Sequence, residues 1–326
     1  MSGLRVGLLG CGGIGARHAG AVAELSNDME LVACCGRDAE RTRAFAEGRT
    51  AAAYTDLDAM LRQERLDLVI ATLPPYNRGG EIERVARAGV HLLVEKPIAL
   101  NQPAADAMVS DVSATGVVAA IGFMYRFGDA VRRWKAADTG QVGLYAGAYH
   151  CNALHADWWR EEARSGGQIL EQVIHQVDLI RHLMGEPDSV YARRTNFAHH
   201  DTPGYDVEDI SAIIFGWDDG RIATLNASNI AVPSVWHKEW AVFAERMTGR
   251  FTSWNDAVLT RTVGEVAAEE IAGPTDPFVA QLADVHRAIR TGSAPYVPLA
   301  EGATSLKLAL AARQSADDRR EIRLKP

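Results

Sequence analysis

The chain has 326 residues, more than one hydrophobic core usually holds, so its length predicts two domains. Its formal net charge of −8 disfavours a general affinity for nucleic acid or anionic lipid, because both require a basic surface. The four cysteines lack the spacing of a zinc site or a disulfide framework, so we expect no bound metal. No apolar stretch approaches membrane-spanning length, and Met1 leads directly into an apolar run. We therefore expect a cytoplasmic protein whose partners are small molecules, with no membrane segment.

Short apolar runs alternate with amphipathic stretches from residue 4 to about 121. The runs predict buried strands, and the stretches predict helices. This alternation is typical of a doubly wound parallel sheet covered by helices on both faces, which we place at residues 1–122. Strands are predicted at 4–10, 31–35, 68–71, 92–94 and 117–121, and helices near 14–25, 38–47, 56–63, 79–88 and 103–115.

A glycine-rich loop directly follows the first predicted strand and opens the next helix. It reads G-C-G-G-I-G and matches the G-x-G-x-x-G pattern, whose glycines let backbone approach a pyrophosphate at a helix N-terminus. A purely structural glycine turn is the alternative. The pattern predicts a dinucleotide-binding Rossmann domain with Gly10, Gly12, Gly13, Ile14 and Gly15 at the phosphates.

The end of the second predicted strand bears on the choice of cofactor. Gly36 stands where a carboxylate usually binds the ribose of NAD, and Arg37, together with Arg41, could pair with a 2′-phosphate. This pattern favours NADP over NAD. Two alternatives stay open, since Asp38 could bind the ribose from two positions later, or Arg37 could stack on adenine; either would suit NAD.

The apolar run at 91–94 ends in Glu95-Lys96-Pro97. Pro97 ends the strand by removing a backbone donor. Ligands of parallel α/β sheets bind outside the carboxyl ends of the strands, so Glu95 and Lys96 are placed for function. An exposed salt bridge is the alternative for Lys96.

The pattern changes after about residue 140. Period-2 segments at 210–217 and 221–226, joined by Asp218-Asp219-Gly220, predict an antiparallel hairpin. We expect a second α/β domain over 123–326 with a large, mostly antiparallel open sheet. Helices are predicted near 168–184, 277–290 and 301–317, and we expect the last two, including the C-terminal helix, to return and pack beside the first domain.

The predicted helix near 168–184 carries polar groups on one face. Glu171, His175 and Asp178 recur at i, i+4 and i+7. A histidine beside a carboxylate can exchange a proton with a substrate hydroxyl. The alternative is a core histidine that is satisfied by Asp178. Glycines at 166 and 167 weaken that alternative, because they often mark close approach by a ligand or another chain segment.

The loop at 10–15, the triplet at 95–97 and the segment 166–178, which reads G-G-x-I-L-E-x-x-x-H-x-x-D, resemble the glucose-fructose oxidoreductase, inositol dehydrogenase and rhizopine-catabolism (Gfo/Idh/MocA) family. The resemblance spans nearly the whole chain. Further matches lie at 71–77, at 125–127 and at Trp159-Arg160.

The resemblance implies an NAD(P)-dependent oxidoreductase acting on a secondary hydroxyl or carbonyl of a sugar, inositol or related polyol. It also implies a homodimer or homotetramer. Lys96 would bind the reacting oxygen and the nicotinamide ribose, and His175 would be the general acid/base. Glu171 would bind a neighbouring hydroxyl or support the proton path. A cis Lys96-Pro97 peptide bond is also implied. The remaining implied cofactor contacts are Thr72, Pro74, Asn77, Glu95, Trp159 and Arg160.

A second group of residues is predicted to contact the substrate. His155 and Trp158 belong to a segment rich in groups that bind sugars, because aromatic rings stack on C–H faces and His binds hydroxyls. A hydrophobic loop anchor is the alternative for that segment. The full predicted set is Lys96, Arg126, His155, Trp158, Glu171 and His175.

Three residues depart from the family pattern. Arg78 stands where many members have histidine, Glu171 replaces aspartate, and Val173 replaces glycine. Each could alter the substrate pocket, although Val173 could instead face the core. Two rival functions stay open: a glycoside-cleaving enzyme that oxidises transiently with tightly bound NAD(P), and a nonenzymatic sugar sensor.

Overall fold

The computed structural model describes residues 3–152 and 156–324, so the candidate His155 lies outside the described residues. The chain divides into two compact units, Met1–Met124 with Asp276–Ala303, and Tyr125–Thr275 with Thr304–Pro326. The sequence boundaries placed 276–303 within the second domain, with its helix near 277–290 expected beside the first; the structure groups this segment with the first unit. The first unit is therefore built from two separate stretches of chain.

The regular elements are numbered along the chain. The strands are β1 Leu4–Leu9, β2 Met29–Cys35, β3 Ala52–Tyr54, β4 Leu68–Ala71, β5 His91–Val94, β6 Ala119–Ile121, β7 Val142–His150, β8 Ser189–Thr195, β9 Ile210–Gly216, β10 Ile222–Ser228, β11 His237–Ala244, β12 Met247–Phe251, β13 Asp256–Arg261, β14 Ala267–Ala272 and β15 Ile322–Arg323. The helices are α1 Gly13–Glu24, α2 Ala39–Glu47, α3 Leu57–Gln63, α4 Glu81–Arg87, α5 Gln102–Ser113, α6 Asp129–Ala136, α7 Glu162–Ser165, α8 Ile174–Met184, α9 Pro277–Thr291 and α10 Ala300–Asp318.

The first unit is a parallel sheet with strand order β3-β2-β1-β4-β5-β6. The order reverses between β1 and β4, which is the crevice where such sheets bind dinucleotides. The predicted parallel fold is confirmed, although β3 was missed. Its core joins the central strands to α9 and includes Val6, Leu8, Leu68, Ile70, Leu93, Leu282 and Val285.

The second unit contains a larger sheet with order β14-β13-β12-β11-β7-β10-β9-β8-β15. Its neighbours pair antiparallel except β7 and β10, which are parallel. The predicted hairpin is present as β9 and β10, and Gly220 in its turn has φ +92°. The mostly antiparallel second sheet is confirmed.

Helix α8 packs on one face of this sheet through a specific polar contact. The Tyr145 hydroxyl donates to Gln176 Oε1 (3.1 Å), and Gln176 Nε2 donates to the Ala148 carbonyl (2.8 Å). A Cβ at Gly147 would collide with the Gln176 side chain, so glycine is required where α8 approaches β7. These contacts fix the helix that carries His175.

The start of this helical region differs from the sequence prediction. Residues Ile169–Val173 form a π-helical turn, and α-helix begins only at Ile174. Glu208 caps the turn by accepting from the Ile169 amide (2.9 Å), and a Cβ on Gly167 (φ +89°) would lie 2.7 Å from a Glu208 oxygen. Gly167 therefore makes room for Glu208, a neighbouring chain segment.

Candidate active site

Thr72 packs against the backbone of the glycine-rich loop. Gly10 has φ +108°, and its amide donates to the Cys35 carbonyl (2.8 Å). The Thr72 hydroxyl donates to the Gly10 carbonyl (2.8 Å), and a Cβ on Gly10 would lie 2.7 Å from that hydroxyl oxygen. Thr72, predicted as a cofactor contact, thus supports the loop backbone.

The front of the loop is suited to an anion. A Cβ on Gly12 or Gly13 would meet nothing within 4 Å, whereas one on Gly15 would collide with the Gly10 carbonyl oxygen. Helix α1 begins at Gly13 with no side-chain cap and no acidic residue in its first turn. Ile14 beside it is 47% exposed. Open backbone amides at a helix N-terminus fit a dinucleotide pyrophosphate.

The end of β2 favours a small residue beside the loop. A Cβ on Gly36 would lie 2.5 Å from Thr42 Oγ1, so a larger residue would require Thr42 to move. Asp38 caps α2, since its Oδ1 accepts from the Arg41 amide (2.9 Å). The Asp38 carboxylate is thereby partly engaged, while the Arg37 side chain is exposed.

A buried histidine and glutamate pair lies under the end of β5. His18 Nε2 is 2.8 Å from Glu95 Oε1, and the two residues are 0% and 7% exposed. The other carboxylate oxygen accepts from the Lys96 amide (3.1 Å). Burial alone would raise the pKa of Glu95, but His18, Lys96 and Arg78 outweigh it and lower that pKa below its usual value. Glu95, predicted as a cofactor contact, is thus an ionised group beneath Lys96.

Sequence reasoning missed His18. A histidine in α1 shortly after the glycine motif, on the face that packs against the sheet, was the available signal. Its ring also contacts Phe278 edge-on (5.1 Å between centroids).

Arg78 binds backbone carbonyls of two neighbouring loops. Its guanidinium donates to Leu73 O (2.8 Å), Glu95 O (2.7 Å), Pro97 O (2.5 Å) and Ile98 O (2.9 Å). Burial lowers the pKa of Arg78 to about 10, although Glu95 opposes the shift, so the group stays charged at neutral pH. This departure from the family pattern therefore fixes the backbone on both sides of Lys96.

The remaining candidates of the first unit lie on the same loops. The Lys96-Pro97 bond is cis, and the Lys96 side chain is half-buried. Pro74 precedes a short 3-10 turn in which the Asn77 amide donates to the Pro74 carbonyl (3.0 Å). Both residues are half-buried at the end of β4.

In the second unit, His175 lies at the first turn of α8 and stacks on Tyr125. The ring centroids are 4.7 Å apart and the planes differ by 5°. Tyr125 also contacts Trp254 (4.8 Å) and is 2% exposed. Glu171 lies in the π-helical turn and is 7% exposed, whereas Val173 is fully buried and faces the core.

Asp178 is bound by two arginines and a serine. Arg126 donates to both its oxygens, from Nε (2.8 Å) and Nη2 (2.6 Å), and the Ser305 hydroxyl donates to Oδ1 (3.0 Å). Arg181 lies 3.7 Å away. Arg126, predicted to contact substrate, is buried and holds Asp178 with two of its donors.

The predicted Trp158 and Trp159 lie in a 3-10 turn over Asp157–Arg160. Their rings meet edge-on (5.8 Å), and Trp159 meets Trp236 edge-on (6.2 Å). Arg160, the other predicted cofactor contact here, pairs with Asp157 (3.3 Å). Trp236 was missed by sequence reasoning because it lies far along the chain.

Within residues 3–152 and 156–324, no three His, Cys, Asp or Glu side chains are grouped so that they could hold a metal ion. No helix in these ranges is long and apolar enough to span a membrane. His199 is buried against Asp209 (3.1 Å from Nδ1), whereas the neighbouring His200 is exposed.

Two family sequence models match the chain. Residues 4–123 match one described as an oxidoreductase family with an NAD-binding Rossmann fold, and residues 129–248 match the GFO/IDH/MocA C-terminal domain. The two matches together span most of the chain.

Individual proteins show the same likeness. A myo-inositol 2-dehydrogenase of Thermotoga maritima is 24% identical over 98% of this chain and 98% of its own length. An inositol 2-dehydrogenase of Rhizobium meliloti is 35% identical over 58% of each chain. The structure of a levoglucosan dehydrogenase in complex with NADH and levoglucosan superposes with a TM-score of 0.91 at 17% identity, covering 100% of both chains. The chain belongs to the Gfo/Idh/MocA family of NAD-binding oxidoreductases.

Proposed function

We propose that this protein oxidises a secondary hydroxyl, or reduces the corresponding carbonyl, of a sugar, inositol or related polyol with NAD(P). The observation that carries the proposal is the open glycine cradle at the N-terminus of α1, in the same unit as a lysine whose backbone is fixed by Glu95 and Arg78. The named activities of the relatives, inositol 2-dehydrogenase among them, support the substrate class.

The proposed chemistry divides among three side chains. In the direction of oxidation, His175 removes the hydroxyl proton, and Lys96 stabilises the negative charge that develops on the oxygen. Glu171 accepts a hydrogen bond from a neighbouring hydroxyl. The nicotinamide, when bound, accepts the hydride from the carbinol carbon. The stack on Tyr125 supports this role for His175, because it restricts the imidazole to one plane.

We propose NADP as the preferred cofactor. Gly36 leaves no carboxylate at the end of β2, and Asp38 is partly engaged in capping α2. An exposed Arg37 can pair with a 2′-phosphate. Residues Gly10, Gly12, Gly13, Ile14 and Gly15 would hold the pyrophosphate, with Thr72 supporting the loop.

Further contacts follow from position. We propose that Pro74, Asn77, Trp159 and Arg160 border the cofactor and that Trp158 packs on the substrate. Arg126 would contact the substrate. The contact predicted for His155 stays a prediction, as does the cytoplasmic location.

The test is nicotinamide absorbance on adding protein to NADP or NAD with a panel of hexoses, inositols, sugar acids and glycosides. We expect net reduction of NADP with one group of compounds, abolished by Lys96→Met and His175→Gln while dinucleotide affinity is retained. The control is Lys307→Met, which removes an exposed charge on α10.

Three other outcomes would contradict the proposal. Unchanged turnover by the Lys96→Met variant would show that Lys96 does not stabilise the reacting oxygen. Aglycone release without net reduction would indicate the redox glycosidase, and tight dinucleotide binding without turnover would indicate the sensor.

We also propose that a second copy of this chain covers the outward face of the large sheet, giving a homodimer or a homotetramer. Each of five strands exposes one large apolar side chain on that face, where soluble proteins usually place polar groups. They are Tyr191, Ile214, Ile222, Phe243 and Val258. Light scattering should give a mass that is a multiple of 35.3 kDa and that falls in Ile214→Glu. A monomeric wild type would contradict the proposal.

A further inference from the structure

One lysine of the second unit is surrounded by aromatic rings. Lys238 of β11 pairs in register with Tyr149 of β7. Its Nζ lies 5.3 Å from the Tyr149 centroid, 4.8 Å from that of Trp236 and 5.6 Å from that of Trp254. Ring faces within about 6 Å attract a cation, so these contacts favour the charged ammonium and restrict its position.

This lysine is connected to His175 through a short series of ring contacts. Trp254 lies 4.8 Å from Tyr125, and Tyr125 stacks on His175 at 4.7 Å. On the other side, Trp236 contacts Trp159 at 6.2 Å. The ammonium and the proposed general acid/base are therefore held by one continuous aromatic wall.

Glu171 lies close to the same wall. Burial raises the pKa of the Cys151 thiol to about 12, while Lys238 acts on that thiol in the lowering direction and Glu171 in the raising direction. Glu171 also raises the pKa of Tyr149, after burial. Lys238 and Glu171 thus act in opposite directions on the same buried thiol.

The ammonium gives this part of the wall a positive charge that the three rings alone lack. The Trp236 ring is 38% exposed, so a ligand can reach this part of the wall. A neutral polyol needs only neutral donors and acceptors, whereas an anionic group needs a cation, all the more because Glu171 would repel it.

We infer that Lys238 is a specificity-determining residue that binds an anionic group on the substrate, so that the preferred substrate is a sugar or cyclitol bearing a carboxylate or a phosphate. The Trp236 ring packs on the C–H face of the same molecule. This inference rests on the proposed function and narrows its substrate class.

The test compares three forms of one sugar: the neutral parent, its uronic or aldonic acid, and its phosphate ester. For wild type and Lys238→Met, we would measure KM and kcat with NADP or NAD. Binding of the same compounds would be measured by calorimetry. We expect the anionic form to bind more tightly, and Lys238→Met to raise its KM about 10- to 100-fold while changing KM for the neutral parent far less. Comparison of the acid with the phosphate ester identifies which anionic group Lys238 binds.

Two variants separate this role from a structural one. Lys238→Arg keeps the charge and should restore most of the anion preference, and Lys307→Met removes a charge from exposed surface and should leave all parameters unchanged. Thermal unfolding of each variant checks that the fold is intact.

The outcomes distinguish this inference from the proposed function. Turnover of neutral polyols with no preference for anions, or an equal loss for both forms in Lys238→Met, would overturn the inference and leave the oxidoreductase proposal standing. Binding of the acid that depends on Lys238, without turnover of any compound, would support the inference and count against the oxidoreductase. No binding of either anion would overturn the inference.

Discussion

The imidazole of His175 lies face to face with the phenol ring of Tyr125, with planes 5° apart. Within residues 3–152 and 156–324 the buried Tyr125 hydroxyl has no hydrogen-bond partner. The ring, rather than the hydroxyl, is therefore the part of Tyr125 that positions His175.

Two substitutions of Tyr125 distinguish the effect of its ring from that of its hydroxyl. Tyr125→Phe keeps the stack and removes a buried polar atom, so kcat should be unchanged and the free energy of unfolding equal or higher by about 1 kcal/mol. Tyr125→Leu removes the stack and should lower kcat about 10- to 100-fold, because the imidazole is no longer confined to one plane. Steady-state kinetics and chemical denaturation measure both effects. A large loss of kcat in the Phe variant would assign the role to the hydroxyl instead.

The contact between His18 and Glu95 should be energetically coupled. A double-mutant cycle with His18→Leu and Glu95→Met should give a coupling free energy of about 1–3 kcal/mol, because each single change leaves a buried polar group without this partner. Urea denaturation at neutral pH supplies the four free energies. Additive effects, with no coupling, would show that the 2.8 Å contact contributes nothing to stability.

Arg78 should be required for folding stability rather than for substrate choice. Arg78→Met leaves several backbone carbonyls without their donor and should lower the free energy of unfolding by roughly 3–5 kcal/mol. Arg78→Lys keeps the charge but not the planar arrangement of donors. Its free energy of unfolding should therefore lie between those of wild type and Arg78→Met. Denaturation curves measure these stabilities. If Arg78→Met were as stable as wild type but had an altered substrate preference, Arg78 would instead have a role in the substrate pocket.

His182 should make the protein less stable in mild acid. Burial, followed by the charges of Arg126, Lys135 and Arg181, lowers the pKa of His182 to about 3 in the folded chain, against about 6.5 when unfolded. As the pH falls below 6.5, the unfolded chain binds a proton that the folded chain does not, so stability falls by at most about 1.4 kcal/mol per pH unit. His182→Gln should flatten this slope between pH 6.5 and 5 in thermal scans. Parallel curves for the two proteins would contradict the assignment.

Arg37 should discriminate between the two dinucleotides. Arg37→Ala should weaken NADP binding by about 10- to 100-fold and change NAD binding little, because only NADP carries the 2′-phosphate. Calorimetry on both cofactors measures the ratio, with Arg41→Ala as the neighbouring comparison. Equal weakening of both would favour the stacking of Arg37 on adenine.

The sequence predicted most of the first sheet because fully buried parallel strands appear as continuous apolar runs. The exception, β3, reads Ala52-Ala53-Tyr54 and carries no β-branched residue, so no local signal distinguishes it from the residues around it. Here pairing with β2, rather than local propensity, makes the strand.

The site was less predictable where it depends on contacts between distant residues. The π-helical turn before α8 begins at Ile169, whose amide donates to Glu208, almost 40 residues further along the chain. The helical pattern alone indicated a continuous α-helix. The positions of Lys96 and His175 could be read from motifs. The contacts of His18 with Glu95 and of Tyr125 with His175 could not be read in the same way, because nothing in the local sequence of either residue shows what it contacts.

The discontinuous first unit has a consequence for the order in which the protein forms during synthesis. Leu282 and Val285 of α9 complete the core around β1, and Gln281 donates to the Ile121 carbonyl at the edge of the sheet. These residues leave the ribosome only after the whole of 125–275. The glycine-rich loop is thus translated early, but the core of its unit is completed only after 125–275 has been made. The second unit in turn requires 304–326, so neither unit can complete its core until the C-terminal part of the chain is translated.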